Sequence, residues 1–292
     1  MTSFFPVALG VKQGYVLSPT LFSIYVNDLV SNIKEANCGI QIDDIMVSML
    51  LYADDIALIA PDAEKLQKQL DILNKWCEKW RLTLNKNKTK IVHFRNKSIQ
   101  KSNFQFKCGE LCLEYAACYK YLGVLLNEFS DYSIIAKELY KSANRALGVI
   151  KAKFCKTGGM NFDVFTKLYD TLVKPIFTYA SGVWGINIHN CINNLQNNAC
   201  KFFLGLSKRS SNLAARGDMG FLSGDALLKV EVFKLWNRLK CDNTSNICKK
   251  VHTWAIRRKS SWDYRVLQLA RKYSLIINVE DEINMSNVWD SI

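Results

Sequence analysis

The chain has 292 residues, 49% of them apolar and 12% aromatic, and 39 Lys and Arg against 26 Asp and Glu give it a net charge of +13. That composition predicts a globular chain able to bury one large core or two smaller ones, and no apolar stretch reaches the roughly 20 residues of a membrane-spanning helix. The N-terminus lacks the basic region and apolar core of a signal peptide, so an intracellular protein is expected, and its 10 cysteines, none in a Cys-x-x-Cys pair, read as free thiols rather than as a disulfide framework.

In chain order, Gly10-Val11-Lys12-Gln13-Gly14 comes first, with two glycines that let backbone approach a ligand closely. Ser18 is a suitable N-cap and Pro19 fits the first helical position, so a helix should start there, with Leu21, Ile24, Tyr25 and Leu29 on one face. Met46 to Tyr52 and Ile56 to Ala60 are apolar runs of strand length and predict a buried β-hairpin turning near Asp54-Asp55. Two carboxylates about 4 Å apart repel by on the order of 4 kcal/mol at an effective dielectric near 20. A partly buried pair therefore calls for a proton or a cation. A hard divalent ion such as Mg²⁺ suits oxygen ligands and completes its shell with water and substrate phosphates. The plainer reading is a hairpin turn, since Asp is a common turn residue. Asp43-Asp44, on the approach, reads as a turn or a solvated strand end.

Asp62 should cap a helix whose Leu66, Leu70, Leu73, Cys77 and Trp80 form a core-facing stripe. Leu84-Asn85-Lys86-Asn87-Lys88-Thr89-Lys90 follows, and then Tyr119-Lys120-Tyr121-Leu122-Gly123-Val124, within a strand expected from Tyr119 to Leu126. Ile135, Leu139, Ala143, Leu147 and Ile150 mark a helix ending before Gly158-Gly159. Beyond Asn161 the pattern is helical, with stripes at Leu168, Leu172, Ile176 and at Leu195, Ala199, Phe202, Leu206, and Ser207 to Gly224 reads as a flexible connection. Cys241, Cys248 and His252 offer three potential zinc ligands without an evident fourth, and ordinary helix packing is the favoured reading there.

Charge is unevenly placed. Residues 1–95 carry 11 Lys and Arg against 10 Asp and Glu, leaving 28 against 16 for residues 96–292. Lys249, Lys250, Arg257, Arg258 and Lys259, interleaved with Trp254 and Trp262, form the densest basic-aromatic segment. It suits phosphate contact and base stacking, against the alternative of a solvated helical face with core tryptophans.

The blocks GVKQG-x-x-LSP, YADD (Tyr52 to Asp55), Lys88-Thr89-Lys90 and YKYLG occur in an order and spacing that resembles the palm of reverse transcriptases of non-long-terminal-repeat, LINE-like retrotransposons. The resemblance covers about the first half of the chain. It implies an α+β fold: a partial polymerase palm of antiparallel sheet with helices at residues 1–128, a helical thumb at 129–160 and a helical C-terminal region at 161–292. Leu168-Tyr169-Asp170, Pro175-Ile176, Val183-Trp184-Gly185 and Gly217-Asp218-Met219-Gly220 also resemble, more weakly, the helical region after such polymerases.

By position, the resemblance places nucleotide and template contacts on Gln13, Gly14 and Tyr52. It places metal-binding catalytic carboxylates on Asp54 and Asp55, a lysine near the triphosphate at Lys88, and the primer grip on Tyr121, Leu122 and Gly123. It implies Mg²⁺ or Mn²⁺, an RNA template, a DNA primer and deoxynucleoside triphosphates, no membrane, and a nuclear or cytoplasmic ribonucleoprotein. Tyr15 stands where the family usually has cysteine. The family's fingers and its first catalytic aspartate lie N-terminal to the GVKQG block. The chain as given is therefore expected to be a truncated, inactive fragment, with a non-catalytic nucleic-acid-binding remnant as the alternative.

Overall fold

The computed structural model describes residues 14–240, 246–258 and 261–275. They fall into two compact units, one comprising residues up to 91 together with 101–115, the other 92–100 together with those from 116 onward.

The first unit begins with α1 (Ser18–Glu35), then β1 (Ile40–Ile42), β2 (Ile45–Val47), β3 (Met49–Tyr52), β4 (Asp55–Leu58) and α2 (Ala63–Trp80). The short strands β5 (Lys90–Ile91), β6 (Lys107–Cys108), β7 (Leu111–Cys112) and β8 (Glu114–Tyr115) complete it. The α+β class holds, with the strands arranged as two-stranded ladders: β1–β2, β3–β4 and β6–β7 antiparallel, β5–β8 parallel.

The N-cap of α1 is Leu17, one residue before the expected Ser18, because Ser18 N–H already donates to the Tyr15 carbonyl at 3.1 Å and the turn winds directly into the helix. Its buried side chains are Val26, Leu29 and Ile33, with Phe22 and Tyr25 half-covered. Leu21 and Ile24, expected on the core face, are 50% and 68% exposed. Asp62 caps α2 as expected, accepting from Lys65 N–H at 2.8 Å. Leu70, Leu73 and Cys77 are buried along α2, but the core tryptophan is Trp76 rather than Trp80. Asp28 on α1 accepts from both indole nitrogens, Trp76 at 2.6 Å and Trp80 at 2.9 Å. Trp80 thus keeps one end wet while its N–H is satisfied. Partial burial would raise the Asp28 pKa, yet these donors and the nearby Lys79 hold its carboxyl below the ordinary aspartate value.

The second unit opens on the hairpin β9 (Cys118–Tyr121) and β10 (Val124–Asn127), followed by the long helix α3 (Tyr132–Lys156). As expected, α3 buries Ile135, Ala143, Leu147 and Ile150 and ends before Gly158. Next come α4 (Phe162–Leu168), a π turn (Tyr169–Val173), α5 (Lys174–Phe177), α6 (Ser181–Trp184), α7 (Asn190–Phe203), α8 (Asn212–Asp218), α9 (Gly224–Lys240), α10 (Asn246–Ile256) and α11 (Trp262–Lys272). Phe165, Tyr169, Val173 and Phe177 recur every four residues and are fully buried, so the stripe lies one residue beyond the expected Leu168, Leu172, Ile176, and Leu172 is 46% exposed. The π turn widens the helix ahead of Pro175, which has no N–H to give. Leu195 and Ala199 are buried on α7 as expected. Part of the expected flexible connection is helical, since Ser211 caps α8 by accepting from Ala214 N–H.

Burial pushes the Cys108 and Cys200 thiols up to about 11, so both persist as thiols. Among the described residues no helix is long and apolar enough to cross a membrane.

Candidate active site

The hairpin β3–β4 carries the acidic pair. Tyr52 pairs with Asp55 across a two-residue turn, Ala53-Asp54, so the carboxylates sit at its tip. Ala53 has φ +51°, a left-handed backbone value at the first position of the turn, while Asp54 is not in the positive-φ region. Met49, Ile56 and Leu58 pack on the core shared by α1 and α2, which anchors the hairpin. The opposite face is open, with Leu50 45% and Tyr52 65% exposed, so the hairpin is not buried as expected. A two-stranded ladder covered on one side leaves alternate side chains in water.

Asp54 and Asp55 are both exposed and form no ion pair among the described residues. Nor does any group of three or more His, Cys, Asp or Glu side chains suited to a metal occur among those residues. Two adjacent, unneutralised carboxylates in water are a donor set that fits a hard divalent cation retaining several of its waters. Asp43-Asp44 forms the β1–β2 turn, with Asp43 at φ +47°, as expected for a turn pair.

Gly14 has φ +78° and no atom of the described residues within 4 Å of where a Cβ would stand, whereas Gln13 lies outside the described residues. Lys88 is exposed on a turn organised by Asn85, whose carbonyl accepts from Lys88 N–H at 3.1 Å and from Thr89 N–H at 2.9 Å. No ion pair joins Lys88 to either aspartate.

Tyr121, Leu122 and Gly123 sit together at the β9–β10 hairpin, where Tyr121 pairs with Val124. Leu122 and Gly123 have φ +46° and +82°, the I′ pattern. The Tyr179 hydroxyl donates to the Leu122 carbonyl at 2.8 Å, a contact across 57 residues that sequence spacing could not disclose.

On α10, Lys249 and Lys250 are half-buried, and Arg257 and Arg258 are exposed just beyond it. The Arg258 guanidinium lies 4.0 Å from the centre of the Trp254 ring, and Trp262 packs against the core formed by Val230, Phe233 and Val266. Lys259 lies outside the described residues. So does Cys241, while His252 turns Nδ1 to the buried Asp263, the helix-packing role favoured over a zinc site.

Residues 1–126 match the reverse transcriptase (RNA-dependent DNA polymerase) family. The chain is 29% identical over 196 residues to the RNA-directed DNA polymerase from mobile element jockey of Drosophila funebris, and 25% identical over 197 residues to that of Drosophila melanogaster. Each match covers 65% of this chain and 21% of the relative, so the chain spans about a fifth of the length of these relatives. An uncharacterized transposon-derived protein of Caenorhabditis elegans is 27% identical over 139 residues, 47% of this chain and 49% of that protein. The matched segment thus contains both the acidic hairpin and the Tyr121-Leu122-Gly123 turn.

Proposed function

We propose that the chain is part of an RNA-directed DNA polymerase of a non-long-terminal-repeat retrotransposon, in which Asp54 and Asp55 hold divalent metal for nucleotidyl transfer. The observation that carries this is the exposed, unneutralised carboxylate pair at the tip of a hairpin anchored on α1 and α2, within the reverse transcriptase segment. When bound there, Mg²⁺ or Mn²⁺ lowers the pKa of the primer 3′-hydroxyl and offsets charge on the triphosphate. Asp54 and Asp55 supply the oxygen ligands. Lys88 gives positive charge or a proton to the leaving pyrophosphate. The open backbone at Gly14 and the exposed Tyr52 ring contact the incoming nucleotide and template, and the turn at Leu122-Gly123 steadies the primer.

Two-metal nucleotidyl transfer makes primer extension the readout. The experiment is RNA-templated primer extension with Mg²⁺, comparing residues 1–292 with the same residues preceded by the fingers and first-carboxylate strand of the jockey polymerase. Extension by the fusion, abolished by Asp54→Asn, supports the reading. A fusion that binds primer-template but extends none favours the non-catalytic remnant instead.

A further inference from the structure

Tyr179 stands at the corner between α5 and α6, and both of its ends are held. Its carbonyl accepts from the indole N–H of the buried Trp184 at 3.0 Å, and the next residue, Ala180, is fixed at φ +52°. Its hydroxyl donates to the Leu122 carbonyl at 2.8 Å, and its ring lies against Gly123. The phenol is therefore a strut between a fixed helical corner and the tip of the β9–β10 hairpin. Tyr179 is 48% exposed, so water could satisfy its hydroxyl as well, and the hydroxyl's own needs do not account for the strut.

What the strut holds is an uncommon backbone. A leucine at φ +46° is an outlier that persists where its surroundings hold it, and such outliers gather at functional sites. Because a peptide unit is planar and trans, turning the Leu122 carbonyl to Tyr179 turns the Gly123 N–H to the opposite side. That N–H donates to no group among the described residues, and Gly123 is exposed. A backbone N–H fixed in this way is a ready donor to a phosphate or sugar oxygen. Resting on the primer contact proposed above for this turn, we propose that Tyr179 is a positioning residue for the primer. Through the Leu122 carbonyl it sets the plane of the Leu122-Gly123 peptide, so that the Gly123 N–H meets an oxygen of the primer strand near its 3′ end. Tyr179 lies beyond the 126 residues of the family match. Without the hydroxyl the ring still covers Gly123, but the peptide plane is free to turn, and the primer end is held less firmly while the rest of the duplex contact is unchanged.

The test uses the full chain and a DNA primer annealed to an RNA template, without deoxynucleotides, so its outcome is independent of catalysis. 2-Aminopurine placed either at the primer 3′ terminus or well inside the primer reports the local environment, and anisotropy of a label at the far end of the template reports overall affinity. In the wild type the terminal probe should respond to binding more than the internal one. Tyr179→Phe should lose at least half of the terminal response while its Kd stays within about twofold. Tyr169→Phe, which removes a buried hydroxyl bonded to Gln196 in the same unit, should keep the full terminal response, as a merely structural loss at Tyr179 would also do. All three proteins are compared below their melting temperatures. A wild type that does not bind the duplex, or whose two probes respond alike, would overturn the primer contact at this turn and the proposal with it. A terminal response that Tyr179→Phe retains, or that Tyr169→Phe loses equally, would overturn the positioning role alone.

Discussion

The phenol of Tyr179 closes over the Leu122-Gly123 turn, its hydroxyl 2.8 Å from the Leu122 carbonyl and its ring 3.2 Å from where a Gly123 Cβ would stand. Gly123 is thus constrained twice, by its left-handed backbone and by the ring above it. Gly123→Ala should lose roughly 1–2 kcal/mol of stability, because Ala at positive φ is strained and the methyl presses on Tyr179. Tyr179→Phe should lose less, at most about 1 kcal/mol, since that hydrogen bond is half-exposed to water. Urea unfolding of the two variants checks the order, and a larger loss in Tyr179→Phe would contradict it.

The other hairpin turn makes the opposite prediction. Ala53 sits at φ +51°, where a side chain costs roughly 1–2 kcal/mol. Glycine relieves that cost, and the extra freedom it gives the unfolded chain offsets about 0.4–1 kcal/mol of the gain. Ala53→Gly should therefore leave stability equal or raise it by up to about 1.6 kcal/mol. A destabilised Ala53→Gly in the same urea series would show that the turn is not strained.

A buried network in the helical unit predicts a larger effect. Tyr169 donates to Gln196 Oε1 at 2.5 Å, and Gln196 Nε2 donates to the Leu222 carbonyl at 3.0 Å. Tyr169→Phe leaves the Gln196 oxygen buried and unpaired, a loss of about 1–3 kcal/mol. Thermal melts of this variant against Tyr179→Phe should separate the buried hydroxyl from the exposed one.

His189 gives a pH dependence with a fixed sign. Burial pushes its pKa below the ordinary 6.5, although the Trp184 carbonyl and the charges of Asp225 and Asp131 act the other way. The unfolded chain then binds the proton more readily than the folded one, so stability is full above pH 6.5 and falls as pH drops below it toward the folded value. Removing the imidazole with His189→Asn should make the loss between pH 7.5 and 5.5 shallower than in the wild type. An unchanged slope would assign the pH dependence to other groups.

Local signals were legible in the sequence where one residue type meets one geometric need. Asp62 capping α2, the α3 stripe through Leu147 and Ile150, and the turns at Asp43-Asp44 and Asp54 all follow from short-range rules. Stripes failed by one residue where tertiary partners decide the facing side. Trp76 and Trp80 stand one turn apart on the same face of α2, so spacing alone does not tell which is buried, and Asp28 from another helix accepts from both. The π turn at Tyr169–Val173 shifts the face that a regular helix would bury. Within the candidate site, the acidic pair and the Tyr121-Leu122-Gly123 turn were readable as motifs. Tyr179 was not, because the contact that makes it part of the turn spans 57 residues.

The most direct test of the central claim, that Asp54 and Asp55 are metal ligands, is a Mn²⁺ titration of residues 1–292 followed by electron paramagnetic resonance, with Asp54→Asn/Asp55→Asn alongside. The pair is exposed, so the double variant should fold and melt as the wild type does in metal-free buffer, and any difference in Mn²⁺ uptake then belongs to the site. The account predicts a saturable fraction of bound Mn²⁺ in the wild type, displaced by excess Mg²⁺ and absent from the variant. Identical titrations for the two proteins would contradict it.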